Sequence, residues 1–337
     1  MTMSGRTDAG DRAAETLGGV TERDALRRIF PLLPASGATI VGPGDDAAVL
    51  AAPDGRYVVT TDMMVHGPDF RLAWSTPYDL GWKAAATNLS DVAAMGAVPT
   101  GLVVAIAAPA DTPVAELEEI ARGLADACRR LAPECGVVGG DLSVSTVLTF
   151  AVTAFGDLEG RAPVLRSGAR VGDMVAVSGP LGRAATGLRL LFEGAVDADG
   201  EPDRARFESV LAAHPEPVAA QLRPQPPIQD GPLAAIAGAT AMLDLSDGLA
   251  LDARRVAEAS GVAIDLDPSL LGDDPATALS GGEDHGLLAT FPPGTALPGG
   301  FRVVGRVIAG AGVLAGGRPF EGLGGWDPYL HWDGNAG

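Results

Sequence analysis

One stretch constrains the fold more than any other: Lys83-Ala-Ala-Ala-Thr-Asn-Leu-Ser-Asp-Val-Ala-Ala-Met95. Thr76-Pro77 supplies a helix start and Gly96 a stop, which predicts one helix from Pro77 to about Met95. Its alanines let another backbone approach closely, while Asn88, Ser90 and Asp91 interrupt an otherwise apolar surface. Polar groups in such a helix either satisfy each other and nearby backbone or line a site. The helix also carries Lys83, the one lysine of the chain, two turns from Asp91.

Around this helix the pattern alternates. Thr21 with Asp24 predicts a helix start, and Tyr57 to Asp62 reads as extended. Gly101 to Ala108 reads as a strand, Asp111-Thr112-Pro113 opens a helix through Arg130, and Gly136–Gly139 and Thr146–Phe155 read as strands. After a Gly-, Pro- and Arg-rich passage, Met174 to Ser178 begins a second alternating series. It continues with a turn at Gly179 to Gly182 before a helix, a strand at Ala241 to Asp244, a helix from Leu249, and hairpin-like segments to Tyr329. The expected fold class is α/β (mixed α+β) in two domains without a P-loop. The predicted division is a disordered start over 1–20, an N-terminal domain over 21–157, a C-terminal domain over 158–332 and a tail over 333–337.

Composition excludes several function classes. The 337 residues carry 43 Asp plus Glu against 24 Lys plus Arg, a net charge of -19, which disfavours nucleic acid and anionic membranes as partners. Cys128 and Cys135 match neither a redox C-x-x-C motif nor a zinc spacing, and no apolar run approaches the ~18 residues of a membrane span. A reducing, cytoplasmic setting is expected. The single lysine follows Trp82, so a Walker loop is impossible, and neither H-E-x-x-H nor G-x-S-x-G occurs.

What remains is a set of Asp-bearing turns at element ends. Gly42-Pro-Gly-Asp-Asp-Ala47 fits a relaxed dinucleotide fingerprint, yet Asp45 and Asp46 would repel a pyrophosphate, and a metal tolerates them better. Val58-Val-Thr-Thr-Asp-Met63 ends in hard oxygen donors of the kind Mg²⁺ prefers. Gly139-Gly-Asp141 follows a strand, and Leu243-Asp-Leu-Ser-Asp-Gly248 leads from a strand into a helix, where capping explains only one of its aspartates. Ser280-Gly-Gly-Glu-Asp-His285 permits close approach of a ligand. Each is also explicable as a plain turn or cap. Together they suit several divalent cations and hence a polyphosphate.

The ordered series of Gly-Asp-Asp-Ala at 44–47, Thr-Thr-Asp at 60–62, Asn-Leu-Ser-Asp-Val-Ala-Ala-Met-Gly at 88–96, Gly-Gly-Asp at 139–141, Arg-Ser-Gly at 166–168, Asp-Leu-Ser-Asp-Gly at 244–248 and Ser-Gly-Gly-Glu-Asp at 280–284 resembles the thiamine-monophosphate kinase family. The pieces are shared with the wider superfamily of aminoimidazole ribonucleotide synthetase and selenophosphate synthetase. The resemblance implies a homodimer joined through its N-terminal halves, using ATP, thiamine monophosphate and several Mg²⁺ ions. By motif position Asp46, Thr60, Thr61, Asp62, Asp91, Asp141, Asp244 and Asp247 would hold metal. Gly140, Asp141, Arg166 and Ser246 would contact ATP, and Asp69, Glu283 and Trp326 would meet the thiamine end, where an acid and an aromatic suit a cationic thiazolium. Two departures stand out. The family often has an aromatic before Gly-Gly-Asp where this chain reads Gly123-Leu-Ala-Asp-Ala-Cys128, and its Glu-Asp-Tyr is here Glu-Asp-His, with no role assigned to His285.

The implied reaction joins two anions, so it needs charge neutralisation and in-line positioning. No catalytic acid or base is assigned, because the acceptor phosphate is already largely deprotonated at neutral pH. Alternatives stay open: another ATP-using enzyme of the superfamily, or a nucleotide- or metal-binding sensor without turnover. Selenophosphate synthetase is disfavoured because no cysteine precedes Cys128, and the hydrogenase-maturation relative because the chain ends Asn335-Ala-Gly.

Overall fold

The structure is a computed structural model describing residues 15–41, 49–321 and 324–325. The elements run β1 (Thr39–Val41), β2 (Val49–Leu50) and β3 (Val58–Val65) after α1 (Glu22–Ile29), then α2 (Pro77–Ala94), β4 (Val98–Ala108), α3 (Val114–Leu131), β5 (Gly136–Val144) and β6 (Thr149–Asp157). The second half holds β7 (Met174–Ser178), α4 (Arg183–Gly194), α5 (Arg204–Ala213), α6 (Pro215–Leu222), α7 (Asp230–Ile236), β8 (Ala241–Leu245), α8 (Leu249–Ser260), β9 (Ala263–Leu266), α9 (Pro275–Ser280), β10 (Gly286–Phe291), β11 (Arg302–Ile308), β12 (Gly312–Ala315) and β13 (Arg318–Pro319). No helix among the described residues is long and apolar enough to cross a membrane.

The first half forms a four-stranded sheet in the order β3-β6-β4-β5, with β4 and β5 parallel and the other pairs antiparallel. Helices α2 and α3 pack on one face around Leu80, Leu89, Leu117, Ile120 and Phe150. On the other face Val59 and Met63 are exposed. The second half forms a seven-stranded sheet, β13-β12-β9-β11-β7-β10-β8, whose strand β10 is buried on both faces. One apolar cluster lies under α8 and α9, and another joins α7 to Ala94 of α2. A satellite cluster of Trp74, Leu191, Phe207 and Val218 holds α4, α5 and α6.

Helix α2 begins as the sequence predicts, with a reciprocal cap in which Thr76 Oγ1 accepts from the Asp79 N–H and the Asp79 carboxylate accepts from the Thr76 N–H. Its small residues do what alanine-rich surfaces permit. A Cβ on Gly81 would lie 2.0 Å from the Ile120 carbonyl oxygen, and one on Gly123 of α3 2.1 Å from that of Tyr78, so the two helices touch backbone to backbone. Across the chain a Cβ on Gly231 would lie 2.1 Å from the Ala93 carbonyl oxygen. Helix α2 is therefore gripped from both halves of the molecule.

Three expectations change. The loose start assigned to 1–20 does not reach residue 20: Thr16 bridges Pro113, Leu17 N–H bonds the Thr112 carbonyl, and Arg28 pairs with Glu15 at 2.8 Å. Gly139-Gly140-Asp141 lies inside a strand and not after one, because β5 pairs with β4 up to Ala108 opposite Val144. Helices α5, α6 and α7 occupy a stretch where the sequence pattern gives no helix signal, since their apolar residues meet α2 and α4 and leave weak periodicity. The predicted tail at 333–337 lies outside the described residues.

Candidate active site

Strand β3 alternates, so Thr60, Asp62 and Met64 turn toward α2 while Val59, Thr61 and Met63 turn away. Thr60 Oγ1 donates to Asp91 Oδ2 at 2.9 Å, which ties the strand to the polar turn of α2. Ser90 donates to the Thr87 carbonyl at 2.7 Å and lies 3.3 Å from Asp244 Oδ2 at the end of β8. Three carboxylates from three elements, Asp62, Asp91 and Asp244, thus converge across the junction between the two sheets. Burial raises the Asp62 carboxyl, and Asp244 adds to the rise. Asp91 is pushed up to about 7, first by burial and then by the repulsion of Asp244 and Asp62, with the Thr60 hydrogen bond opposing.

The opposite wall is the loop 280–285. Glu283 N–H bonds the Ser246 carbonyl at 2.8 Å and His285 N–H bonds the Leu245 carbonyl at 3.1 Å, extending the pairing of β10 with β8. Glycine is required at 282, where a Cβ would lie 2.4 Å from the Ser246 carbonyl oxygen. Glu283 and His285 both take left-handed backbone, with φ of 70 and 51, an uncommon conformation for side-chain-bearing residues. The loop sets His285 Nδ1 3.4 Å from Asp244 Oδ2 and pairs Glu283 with Lys83. Burial works against charge on both, yet the His285 pKa is raised by its bond to Asp244, and Glu283 is held below its usual range chiefly by Lys83.

A cavity of about 1120 Å³ joins these walls, lined by Asp62, Asp69, Asp91, Arg166, Asp244, Ser246, Asp247, Glu283, Lys83 and His285. Eight of the residues singled out from the sequence therefore share one cleft, and Thr60 reaches it through Asp91. Asp247 is compensated by Arg255 at 2.6 Å, whose other nitrogen holds the fully buried Asp252 at 2.5 Å. Neither Asp62 nor Asp91 has an ion-pair partner among the described residues. Also among the described residues, no three His, Cys, Asp or Glu side chains are grouped closely enough to hold one ion between them.

Three predicted residues do not join the cluster. Thr61 turns to the far face of the sheet, where its hydroxyl bonds the Val152 carbonyl at 2.9 Å. Gly140 and Asp141 lie on the opposite edge strand: Asp62, Val152, Val104 and Gly140 make one row across the sheet, three strand spacings or roughly 14 Å. Asp46 and Trp326 lie outside the described residues. Conversely, Lys83 drew notice only as the lone lysine, and His285 only as a departure from Tyr; Gln221, Asp252 and Arg255 gave no signal.

The family model for AIR synthase related protein, N-terminal domain, matches residues 44–158. The thiamine-monophosphate kinase of Mycobacterium tuberculosis (strain ATCC 25618 / H37Rv) is 45% identical over 306 residues, covering 86% of each chain. The chain belongs to the thiamine-monophosphate kinase family. Among solved structures, the thiamine-monophosphate kinase from Stenotrophomonas maltophilia K279a superposes with a TM-score of 0.71 at 31% identity, over 88% of this chain and 96% of its own. A second, AaThiL complexed with AMPPCP and TMP, gives a TM-score of 0.68 at 33% identity, over 84% of this chain and 90% of its own.

Proposed function

We propose that the protein transfers the γ-phosphoryl group of ATP to thiamine monophosphate, forming thiamine diphosphate and ADP by direct in-line displacement. One observation carries this reading: segments far apart in sequence, in the family's order, line a single cavity with carboxylates at one side and the Asp69–Glu283 pair at another. The family relative that binds an ATP analogue together with TMP supports it.

Asp62 and Asp91 suit divalent cations, because burial and the nearby Asp244 raise both carboxyls and an added positive charge offsets both effects; the three carboxylates are not grouped closely enough to share one ion. Bound there, Mg²⁺ ions would supply neutralisation of the transferring phosphoryl oxygens. Ser246 and the exposed Arg166 line the cavity and would meet the nucleotide, Arg166 adding charge that a donor phosphate needs. Asp69 and Glu283 receive the thiamine end. No side chain is required to remove a proton from the acceptor. The assay is Mg²⁺-dependent ADP release with thiamine monophosphate, with thiamine diphosphate identified as product; no release from folded protein would overturn the reading, and nucleotide binding without release would favour a sensor.

The same reading includes a homodimer. The sheet face bearing exposed Val59 and Met63 is suited to a second copy, and pairing there gives Asp141 a route to a cavity other than its own. Sedimentation equilibrium is expected to give twice the chain mass, and Met63→Asp is expected to shift it toward the monomer.

A further inference from the structure

Lys83 is only 6% exposed, and a buried ammonium needs partners. It has two, and they close a ring. Its ammonium pairs with Glu283 and, with the Gln221 amide turned so that its oxygen faces Lys83, donates to that oxygen at 3.2 Å. The Gln221 nitrogen then donates to the Ala184 carbonyl at 3.2 Å. The Ala184 N–H donates to Asp284 Oδ1 at 2.8 Å and the Arg183 N–H to Asp284 Oδ2 at 3.1 Å, so Asp284 caps α4 where Gly182 offers no side chain. Asp284 is the neighbour of Glu283, which completes the circuit. Helix α2 is fixed beside this ring by Trp82 Nε1, which donates to the Pro224 carbonyl at 2.7 Å, and by Arg223, 3.4 Å from Asp79.

The ring does two things to Glu283. It holds a residue with left-handed backbone in one orientation, and it occupies one carboxylate oxygen with a positive charge. Glu283 lines the cavity, and its remaining acceptor capacity then belongs to a neutralised group, a poor partner for a cation and a good one for a neutral N–H. Asp69 differs: its Oδ2 accepts the Val65 N–H at 2.7 Å, and among the described residues it has no ion pair.

We propose that Lys83 is a positioning residue for acceptor recognition: by holding and neutralising Glu283 it reserves that carboxylate for a neutral heteroaryl N–H, such as the aminopyrimidine of thiamine monophosphate, and leaves Asp69 to face the thiazolium cation. This rests on the proposed function and adds to it a division of labour between the two acids. Without Lys83, Glu283 becomes an uncompensated, half-buried carboxylate that is no longer held in one orientation and attracts a cation in place of a neutral N–H donor.

The test is a double-mutant cycle in the full-length protein, with KM measured separately for thiamine monophosphate and for ATP. Lys83→Met is expected to raise KM for thiamine monophosphate by roughly tenfold to a hundredfold and to leave KM for ATP within about twofold. Adding Glu283→Gln to Lys83→Met is expected to recover much of that loss, because glutamine keeps the acceptor oxygen without the stranded charge. A merely structural role predicts no such recovery, so a double variant no better than Lys83→Met overturns the proposal, as does an equal rise in both KM values. Should Lys83→Met fail to fold, Gln221→Leu opens the ring from its other side: a rise confined to thiamine monophosphate supports the proposal and unchanged KM overturns it. Wild-type protein that makes no ADP with thiamine monophosphate defeats the functional reading and this inference together, whereas an active wild type without the recovery defeats the role of Lys83 alone.

Discussion

Asp91→Asn is expected to lower kcat for phosphoryl transfer by about a thousandfold, while raising the melting temperature in buffer free of divalent ions. Both effects come from one arrangement. Asp91 faces Asp62 and Asp244 with a carboxyl pushed up to about 7, burial first and the two neighbouring acids next. A folded-state pKa above the unfolded one means that the group's ionisation opposes folding: its cost is absent below about pH 4 and grows as pH rises through 7. Asparagine keeps the hydrogen bond from Thr60 and removes the repulsion. The gain is on the order of 1 kcal/mol, allowing for partial exposure and relaxation of the cluster, and is readable as an increase of a few degrees at pH 8 that shrinks toward pH 5. Added Mg²⁺ is expected to stabilise the wild type more than the variant, since the carboxylate charge that opposes folding is what attracts the ion. Unchanged kcat in Asp91→Asn would remove this carboxylate from the reaction; an unchanged melting temperature would mean that the cluster is relaxed by groups other than those named.

Much of this arrangement was legible in the sequence because it rests on local signals. The start of α2 is written in Thr76-Pro77 and its close packing in the alanines, and Leu243 to Gly248 leads from a strand into a helix where α8 begins. Strands β3 and β8 bring Asp62 and Asp244 to one cavity by simple alternation, although Asp62 lies inside β3, which runs on to Val65, and not at its end. What stayed hidden depends on contacts between distant segments. Nothing near Lys83 in sequence announces Gln221 or Glu283, and the left-handed backbone at Glu283 follows from the pairing of its N–H with Ser246, which no local propensity encodes. Gly139-Gly140-Asp141 was misplaced for a similar reason. Two glycines and an aspartate read as a turn, yet parallel pairing with β4 keeps them extended, and a Cβ at Gly140 would lie 2.1 Å from the Val104 carbonyl oxygen. Thr61 shares a motif with Asp62 but not a face, which is what a period of two demands.

The second large effect is expected at Gly81, where a single methyl group separates fold from function only poorly. In Gly81→Ala the new Cβ would lie 2.0 Å from the Ile120 carbonyl oxygen and 2.8 Å from its carbon, and neither can move without shifting α3 itself. Overpacking at a rigid backbone contact costs about 3 kcal/mol or more, against which alanine's better helix propensity returns less than about 1 kcal/mol. The urea midpoint should fall accordingly, whereas Gly19→Ala, where a Cβ meets nothing within 4 Å, should stay within about 0.5 kcal/mol of wild type. Relief of the clash requires α2 to move away from α3 toward β8 and the cavity, and α2 carries Lys83 two residues and Asp91 ten residues beyond the substitution. The surviving folded fraction should therefore show a lower kcat as well as lower stability, with KM for thiamine monophosphate rising because Lys83 shifts against Glu283. A stable, fully active Gly81→Ala would show that the α2–α3 contact tolerates a wider spacing, and that the positions of Lys83 and Asp91 are set from the side of β3 and β8 instead.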